Sequence, residues 1–175
     1  QITIPSSAKI GDSAFHHCKK LENILIIPCK EKRIEYIENQ FLVFNSTSTD
    51  KLFDSLVFTK PTINTANIPS FIKTIKSYAF SECSSLTQIT IPSSVTTIGE
   101  YAFYRCSSLM QISISSSVTS IGSCAFYGCS SLIEITIPSS ITSIRDHILD
   151  ECSSLTQITI PSFVTKIGNC AFNKC

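Results

Sequence analysis

The side chains with the widest range of possible chemistry are nine cysteines in a chain of 175 residues, since thiols can form disulfides, bind metals or act as nucleophiles. Five of them recur every 23 residues, and each of the first four begins the phrase Cys-Ser-Ser-Leu: Cys83, Cys106, Cys129, Cys152 and Cys175. A fixed period of about 20 to 50 residues indicates a repeat protein, whose units bury their apolar faces against copies of themselves. The spacing therefore predicts a column of stacked cysteines.

Stacked cysteines in neighbouring repeats would lie about 4.8 Å apart, which satisfies the Cα distance of a disulfide, but parallel Cβ vectors do not satisfy its dihedral angle. We therefore favour buried free thiols that act as small apolar side chains over disulfides, and Cys18 belongs to the same class by its local context. Zinc is favoured less, because structural zinc sites pair their ligands at short spacings in a tetrahedron. Cys124 and Cys170 share the repeat position of Tyr101 and lie too far apart to bond, while Cys29 lies beside an interruption of the repeat.

The three histidines are the other candidate reactive groups. His16 and His17 precede a cysteine and could suggest a metal site or a nucleophile with its base, but they occupy variable positions of the repeat, which favours solvent-facing side chains. His147 lies in the charged stretch 145–151, which is either a local polar contact site or an outer turn that has drifted in sequence. No phosphate loop, nucleophile elbow, HExxH or paired-carboxylate motif occurs. We therefore predict no catalytic residue, no metal and no cofactor, and expect a protein that is not an enzyme.

The repeat itself indicates the elements that position these side chains. Units 83–105, 106–128, 129–151 and 152–174 share the pattern Cys-x-x-Leu-x-x-Ile-x-Ile-Pro-x-x-Val-x-x-Ile-Gly-x-x-Ala-Phe-x-x. The alternation in Gln88-Ile89-Thr90-Ile91 predicts strands that stack into a parallel sheet, and the proline that follows ends the pairing. The later Val and Ile predict a short second strand, followed by a turn at glycine, which tolerates unusual backbone angles. The Ala-Phe pair predicts a 3₁₀-like turn that directs a column of phenylalanines into the core.

The pattern resembles the Treponema-type leucine-rich repeats of BspA-like surface proteins. The resemblance is close over residues 67–175 and weaker over the first 28, and the segments Ile-x-Ile-Pro-Ser-Ser-Val and Ile-Gly-x-x-Ala-Phe-x-x-Cys carry it. It implies an α/β leucine-rich repeat solenoid, a right-handed superhelix with a parallel β-sheet on one face and short second strands and 3₁₀-like turns elsewhere. It also implies a cell-surface or secreted adhesin-type module that binds host or extracellular-matrix proteins.

We divide the chain as one array over 1–175, with a degenerate repeat over 1–28, an irregular repeat over 29–62 and regular repeats over 63–175. The array begins and ends at internal repeat positions, so we interpret it as a fragment of a longer chain. Its uncapped ends would expose sheet edges and apolar core, which predicts end-to-end self-association.

The irregular repeat contains about 18 more residues than one period, since Pro28 and Pro69 are 41 residues apart. Two apolar segments, 41–44 and 56–58, flank a polar stretch and predict a β-hairpin-like excursion from the solenoid. This insertion is either a binding loop or a neutral insertion packed on the side of the solenoid. The polar stretch begins with Asn45-Ser46-Thr47, an N-glycosylation acceptor that we expect to be exposed and that matters if the chain is exported. The candidate loop contacts are Asn45, Ser46, Thr47, Ser48, Thr49 and Asp50.

Composition excludes two classes of partner. Only 15% of residues are charged, the net charge is +1 and no basic cluster is longer than residues 30–33, which argues against nucleic acid or acidic membrane as partners. No apolar run approaches the roughly 20 residues needed to span a bilayer, so we expect no direct membrane insertion by these residues.

The remaining candidate site is the outward face of the predicted sheet, which carries one column of amides and one of hydroxyls. Such columns suit broad polar contacts with a protein or glycan, although any solenoid face must also be polar to stay soluble. Three interpretations remain open: a surface adhesin, an intracellular scaffold suited to reduced cysteines, and an ice- or carbohydrate-binding surface. The candidate contact residues are Gln88, Thr90, Gln111, Ser113, Glu134, Thr136, Gln157 and Thr159.

Overall fold

The computed structural model describes residues 1–11, 13–30, 32–38, 40–45 and 53–175. These residues form strands and turns without any helix, so the expected α/β class is not supported. The described chain is a solenoid of parallel strands with seven repeats, each of which begins with one strand of the parallel sheets. The strands are β1 (Ile2–Pro5), β2 (Ile24–Ile27), β3 (Ile34–Ile37), β4 (Phe41–Phe44), β5 (Ser55–Thr59), β6 (Thr65–Asn67), β7 (Thr74–Ile75), β8 (Gln88–Ile91), β9 (Thr97–Ile98), β10 (Gln111–Ile114), β11 (Ser120–Ile121), β12 (Glu134–Thr136), β13 (Ser143–Ile144), β14 (Gln157–Thr159) and β15 (Lys166–Ile167).

The first strand of each regular repeat contributes to a five-stranded parallel sheet in the order β14-β12-β10-β8-β6. Its register advances by one repeat per strand, so Gln111 pairs with Gln88 on one side and Glu134 on the other. Strand β8 ends immediately before Pro92, which has no N–H to donate to the ladder. The predicted parallel stacking is therefore confirmed, and β1 and β2 form a separate parallel pair.

The second sheet contains six strands in the order β11-β9-β7-β5-β4-β3. The two apolar segments of the irregular repeat form β4 and β5, which pair antiparallel as the predicted hairpin requires. The hairpin is not an excursion, however, because β4 also pairs with β3 and β5 also pairs with β7. Leu42, Val43 and Leu56 are completely buried. Since both faces of these strands are apolar, placing them inside a sheet covered on both sides removes more apolar surface from water than an exposed hairpin would.

Two hydrophobic cores lie on opposite faces of the hairpin. Leu42 and Phe58 pack with Ile4 and Ile24 of the N-terminal repeats, whereas Phe41 and Val43 pack into the core of the regular array. This division follows from strand geometry, because successive side chains point to opposite faces of a sheet. The N-terminal repeats therefore pack against the far side of the hairpin from the regular repeats.

A column of stacked aromatic rings runs through the main core. The ring centroids of Phe80 and Phe103 are 4.9 Å apart and those of Phe103 and Phe126 are 5.5 Å apart, with interplanar angles of 15° and 14°. All three side chains are completely buried, and Leu149 continues the column without exposure. The predicted phenylalanine column is therefore confirmed. The ring spacing is close to the distance between hydrogen-bonded strands, so the column packs in step with the sheet.

The turn that carries this column forms a third ladder between repeats. The N–H groups of Phe80 and Glu82 donate to the carbonyls of Ala102 and Tyr104, at 2.8 and 2.6 Å. Bonds of the 3₁₀ type occur, but two residues of each turn have positive φ, which interrupts any right-handed helix. This conformation explains why the repeat contains no helix. The left-handed residues in the regular array are Tyr78, Glu82, Tyr101, Arg105, Cys124, Gly128, His147, Glu151, Cys170 and Lys174.

The glycines after the second strands serve close packing instead of unusual backbone angles. A Cβ on Gly99 would lie 2.5 Å from the backbone nitrogen of Ser77, and a Cβ on Gly122 would lie 2.5 Å from that of Glu100. Neither glycine has positive φ, and Gly128 is the only glycine among the described residues that does. The expectation that these glycines supply unusual angles is therefore wrong, because the backbone of the preceding repeat leaves no room for a side chain.

Candidate interaction surface

The outward face of the five-stranded sheet carries the predicted polar columns. All eight predicted residues are exposed, and they align in register across β8, β10, β12 and β14. Strand β6 extends the two columns by Thr65 and Asn67, which are also exposed. Two shallow depressions cross the face, one between the rows of β6 and β10 and the other between the rows of β10 and β12. The face is therefore continuous over five strands.

The chemistry of this face is hydrogen bonding. Glutamine amides donate and accept, threonine and serine hydroxyls do both, and a carboxylate only accepts. Glu134 is the one acidic side chain in the two columns, and it lies between Gln111 and Gln157 in the register. Because the strands are fixed by the core beneath them, a partner would meet a surface whose polar groups are already in place.

The polar stretch of the insertion is described only at its start. Asn45 is buried, with 8% of its surface exposed, and its N–H donates to the Arg33 carbonyl at 2.9 Å. The expectation that the glycosylation acceptor is exposed is therefore wrong for Asn45, because it directly continues the buried strand β4. The other candidate loop contacts, Ser46, Thr47, Ser48, Thr49 and Asp50, lie outside the described residues.

The cysteine column carries free thiols that bond to the backbone of the preceding repeat. The Sγ of Cys106, Cys129 and Cys152 donates to the carbonyl of Phe80, Phe103 and Phe126, at 3.1, 3.2 and 3.2 Å respectively. Burial raises the pKa of all three thiols. A protonated, buried thiol is a poor nucleophile. These cysteines are thus apolar core residues, as predicted, that also satisfy a buried carbonyl.

The cysteines outside the column differ from one another in environment. Cys29 is exposed, and hydrogen bonds from the Ser7 side chain and backbone lower the pKa of its thiol. Cys124 is buried, which raises the pKa of its thiol. Its hydrogen bond with Tyr101 is the largest of the effects that raise the pKa of that phenol to about 12. All nine cysteines are free.

The two N-terminal histidines contact the regular array, although His17 is also exposed to solvent. The His16 ring is half-buried, 4.0 Å from the Tyr78 ring, and burial is the main cause of its lowered pKa. His17 Nδ1 and Lys19 Nζ lie 3.2 and 2.9 Å from Oε1 of the buried Glu82. Burial alone would raise the pKa of Glu82, but the bonds from Lys19 and His17 outweigh it and hold the pKa below its ordinary value. The interpretation of His16 as a solvent-facing residue is therefore wrong.

The charged stretch around His147 forms a local polar network. His147 Nδ1 lies 2.9 Å from Asp150 Oδ2, and Asn173 Nδ2 donates to Asp150 Oδ1 at 2.8 Å. Lys174 pairs with Glu151 at 2.8 Å, again across one repeat. The polar groups of this stretch therefore bond to one another and to the next repeat. Within the described residues no group of three or more potential ligands could hold a metal ion.

Sequence reasoning missed these contacts on the turn edge. A stack of rings continues there, with Tyr78 and Tyr101 at 4.9 Å and Tyr104 and Tyr127 at 5.4 Å. A 23-residue alignment could have indicated the two tyrosine pairs, since the members of each pair share a repeat position. The contact with His16 depends on how the N-terminal repeats pack against the hairpin and the regular array, which the period does not encode.

Parallel strands repeated every 23 residues, over columns of buried isoleucine, leucine, phenylalanine and cysteine, define a leucine-rich repeat solenoid. This is a non-catalytic class of fold that proteins use for interaction with other proteins. The model of the BspA type leucine rich repeat region matches residues 1–52 and 51–175, in six copies. The chain therefore belongs to the BspA type leucine-rich repeat family. No helix in the described ranges is long and apolar enough to cross a membrane.

Solved structures of bacterial leucine-rich repeat proteins resemble this chain. A leucine-rich cell surface protein of Faecalibacterium prausnitzii is 34% identical, with a TM-score of 0.86, over 99% of this chain and 45% of that one. A leucine-rich repeat protein of Eubacterium ventriosum is 26% identical, with a TM-score of 0.68, over 98% of this chain and 57% of that one. The pneumococcal vaccine antigen PcpA shares the fold, at 20% identity and a TM-score of 0.71, over 98% of this chain and 43% of that one.

This chain thus spans about half the length of these proteins. No curated protein sequence matches it.

Proposed function

We propose that the chain is the protein-binding module of a cell-surface adhesin, and that it binds host or extracellular-matrix proteins through the face of the five-stranded sheet. The observation that carries this proposal is the exposed, in-register set of amides and hydroxyls, with one carboxylate, on five fixed strands. The fold supports a binding role because it presents a broad rigid surface. The description of the Faecalibacterium prausnitzii relative as a cell surface protein supports the location.

The test compares two sets of substitutions in binding to immobilised, purified extracellular-matrix proteins. Replacing Gln111, Ser113, Glu134 and Thr136 together by alanine should abolish binding without lowering the melting temperature, because these side chains are exposed. The matched control replaces Ser120 of β11 and Thr142, which immediately precedes β13, by alanine; both are exposed away from the face, and this variant should bind as the wild type does.

Binding that survives in the four-residue variant would refute the sheet face as the site. If binding were instead lost when residues 46–50 are replaced by glycine and serine, the insertion would be the binding element.

A second function, an intracellular scaffold, is favoured by one observation: all nine cysteines are free, and four of the five in the column are buried. Reduced thiols are typical of cytosolic proteins, whereas secreted proteins more often carry disulfides. The sequence of the full-length gene separates the two. A signal peptide or wall anchor favours the adhesin, and fusion to a cytosolic domain favours the scaffold.

A further inference from the structure

Two apolar side chains interrupt the polar composition beside the centre of the interaction face. Met110 and Ile133 immediately precede Gln111 and Glu134, the first residues of β10 and β12, and are 48% and 49% exposed. The N–H of Ile133 donates to the Met110 carbonyl at 3.3 Å, so the two residues are neighbours across adjacent repeats. They form an apolar step where β10, the middle strand of the sheet, and its neighbour β12 begin.

The same position in the flanking repeats shows what the solenoid itself requires there. The hydroxyls of Thr87 and Thr156 donate to the carbonyls of Asn64 and Ile133, at 3.4 and 3.1 Å. Methionine and isoleucine cannot make this bond, and they leave apolar surface in water, which is unfavourable in proportion to its area. Packing of the solenoid therefore does not account for Met110 and Ile133.

A carboxylate adjoins this apolar step. Glu134 is exposed, and no cation among the described residues pairs with it. It replaces the glutamine that occupies its column in the neighbouring repeats. The depression between β10 and β12 is lined by Gln111, Ser113, Glu134 and Thr136, so polar acceptors and donors continue from the carboxylate across the face.

We propose that Met110, Ile133 and Glu134 form the contact centre of the interaction face, and that this centre takes a protein segment presenting an apolar side chain next to an arginine or lysine. The inference rests on the proposed function and specifies the partner's chemistry. A few well-packed residues near the centre of an interface contribute most of its binding energy, and methionine adapts to the shape of its partner. A carboxylate in otherwise neutral columns selects for a cation, and arginine binds it through paired hydrogen bonds.

The chain offers conservative variants for the test, because its own repeats supply the replacement residues. M110T and I133T introduce the threonine of the flanking repeats, and E134Q introduces the glutamine of its column. None of these changes removes a buried side chain, so each variant should keep the wild-type melting temperature.

The probes are four synthetic dodecapeptides that carry leucine or serine next to arginine or glutamate, in every combination. The reporter is the ¹³C-methyl signal of methionine, of which the chain contains one. We expect the Leu-Arg peptide to shift that signal and to bind about tenfold or more tightly than the Ser-Arg and Leu-Glu peptides, since it buries apolar surface and pairs a charge. E134Q should remove the preference for arginine over glutamate. I133T should remove the preference for leucine over serine while Met110 still reports.

Unchanged peptide preferences in E134Q and I133T, or a methionine signal that no peptide shifts, would overturn the inference. Binding of the M110T/I133T double variant to matrix proteins separates this failure from failure of the proposed function. If the double variant binds as tightly as the wild type while the four-residue face variant does not bind, the face is the site and the apolar centre is wrong. If no matrix protein binds the wild type but the peptide preferences hold, the contact centre stands and the proposed adhesin function fails.

Discussion

Replacing Phe103 by alanine should strongly destabilise the solenoid. Phe103 is completely buried, and its ring stacks on Phe80 at 4.9 Å and on Phe126 at 5.5 Å. Removing a buried phenylalanine side chain costs about 3 to 5 kcal/mol, and loss of the two ring contacts, worth about 0.5 to 1.5 kcal/mol each, places this site at the upper end of that range. Against a total stability of about 5 to 15 kcal/mol, this is a large fraction.

The assay is urea unfolding followed by circular dichroism, with two controls. Phe103→Leu should cost less than Phe103→Ala, because leucine refills much of the volume and Leu149 already occupies the same column, although both ring contacts are lost. Phe172→Ala should cost less than Phe103→Ala, since Phe172 is only half-buried in the last repeat. A cost below about 1 kcal/mol for Phe103→Ala would contradict the buried, stacked position of its ring.

Four further outcomes follow from the structure. Iodoacetamide should modify Cys29 in the native protein, because it is exposed and its thiol pKa is lowered, whereas Cys129 should react only after unfolding. Gly128→Ala should cost about 1 kcal/mol in urea unfolding, because Gly128 has a φ of +70°. Acidification should weaken the docking of the N-terminal repeats, which hydrogen exchange can measure. Because folding lowers the pKa of Glu82, its carboxylate stabilises the docked state above the unfolded pKa of about 4.3, and this stabilisation is lost as the pH falls through the folded pKa. Exposed apolar residues such as Phe163, 68% exposed in the last repeat, predict end-to-end self-association in light scattering, which Phe163→Ser should reduce.

Each of these four predictions has a result that would contradict it. Modification of Cys129 in the native protein would contradict its burial, and a neutral Gly128→Ala would contradict the left-handed turn. Protection factors at the N-terminal repeats, calculated against the intrinsic exchange rate at each pH, that do not change between pH 6 and pH 3 would contradict the contact with Glu82. Monodisperse monomers at high concentration would contradict self-association.

The regular repeats were predictable because each position recurs with the same residue type in the same role. Gln88 and Gln111, or Phe103 and Phe126, fall one period apart, and one period is also one strand spacing in the structure. Alternation of polar and apolar residues then fixes which side chains face outward. The exposed face of the candidate site could therefore be located from the sequence alone.

The features that break or exceed the period could not be predicted in this way. The sequence indicates that β4 and β5 are strands, but both are apolar on each face, and only the folded chain shows that two cores cover them. The burial of Glu82 depends on His17 and Lys19 of the N-terminal repeats, which contact its carboxylate. The left-handed backbone at Tyr101 and Arg105 occurs at residues that give no glycine signal.

The most direct test of the sheet face as a protein-binding surface is chemical footprinting of the chain bound to the matrix protein that it recognises. Hydroxyl radicals report on Met110, and a carbodiimide with an amine reports on Glu134, both exposed in the free chain. We predict that the partner protects both residues, while labelling of Phe163 and of Tyr127 on the turn edge does not change. Protection at Tyr127 with full labelling at Met110 and Glu134 would contradict the account.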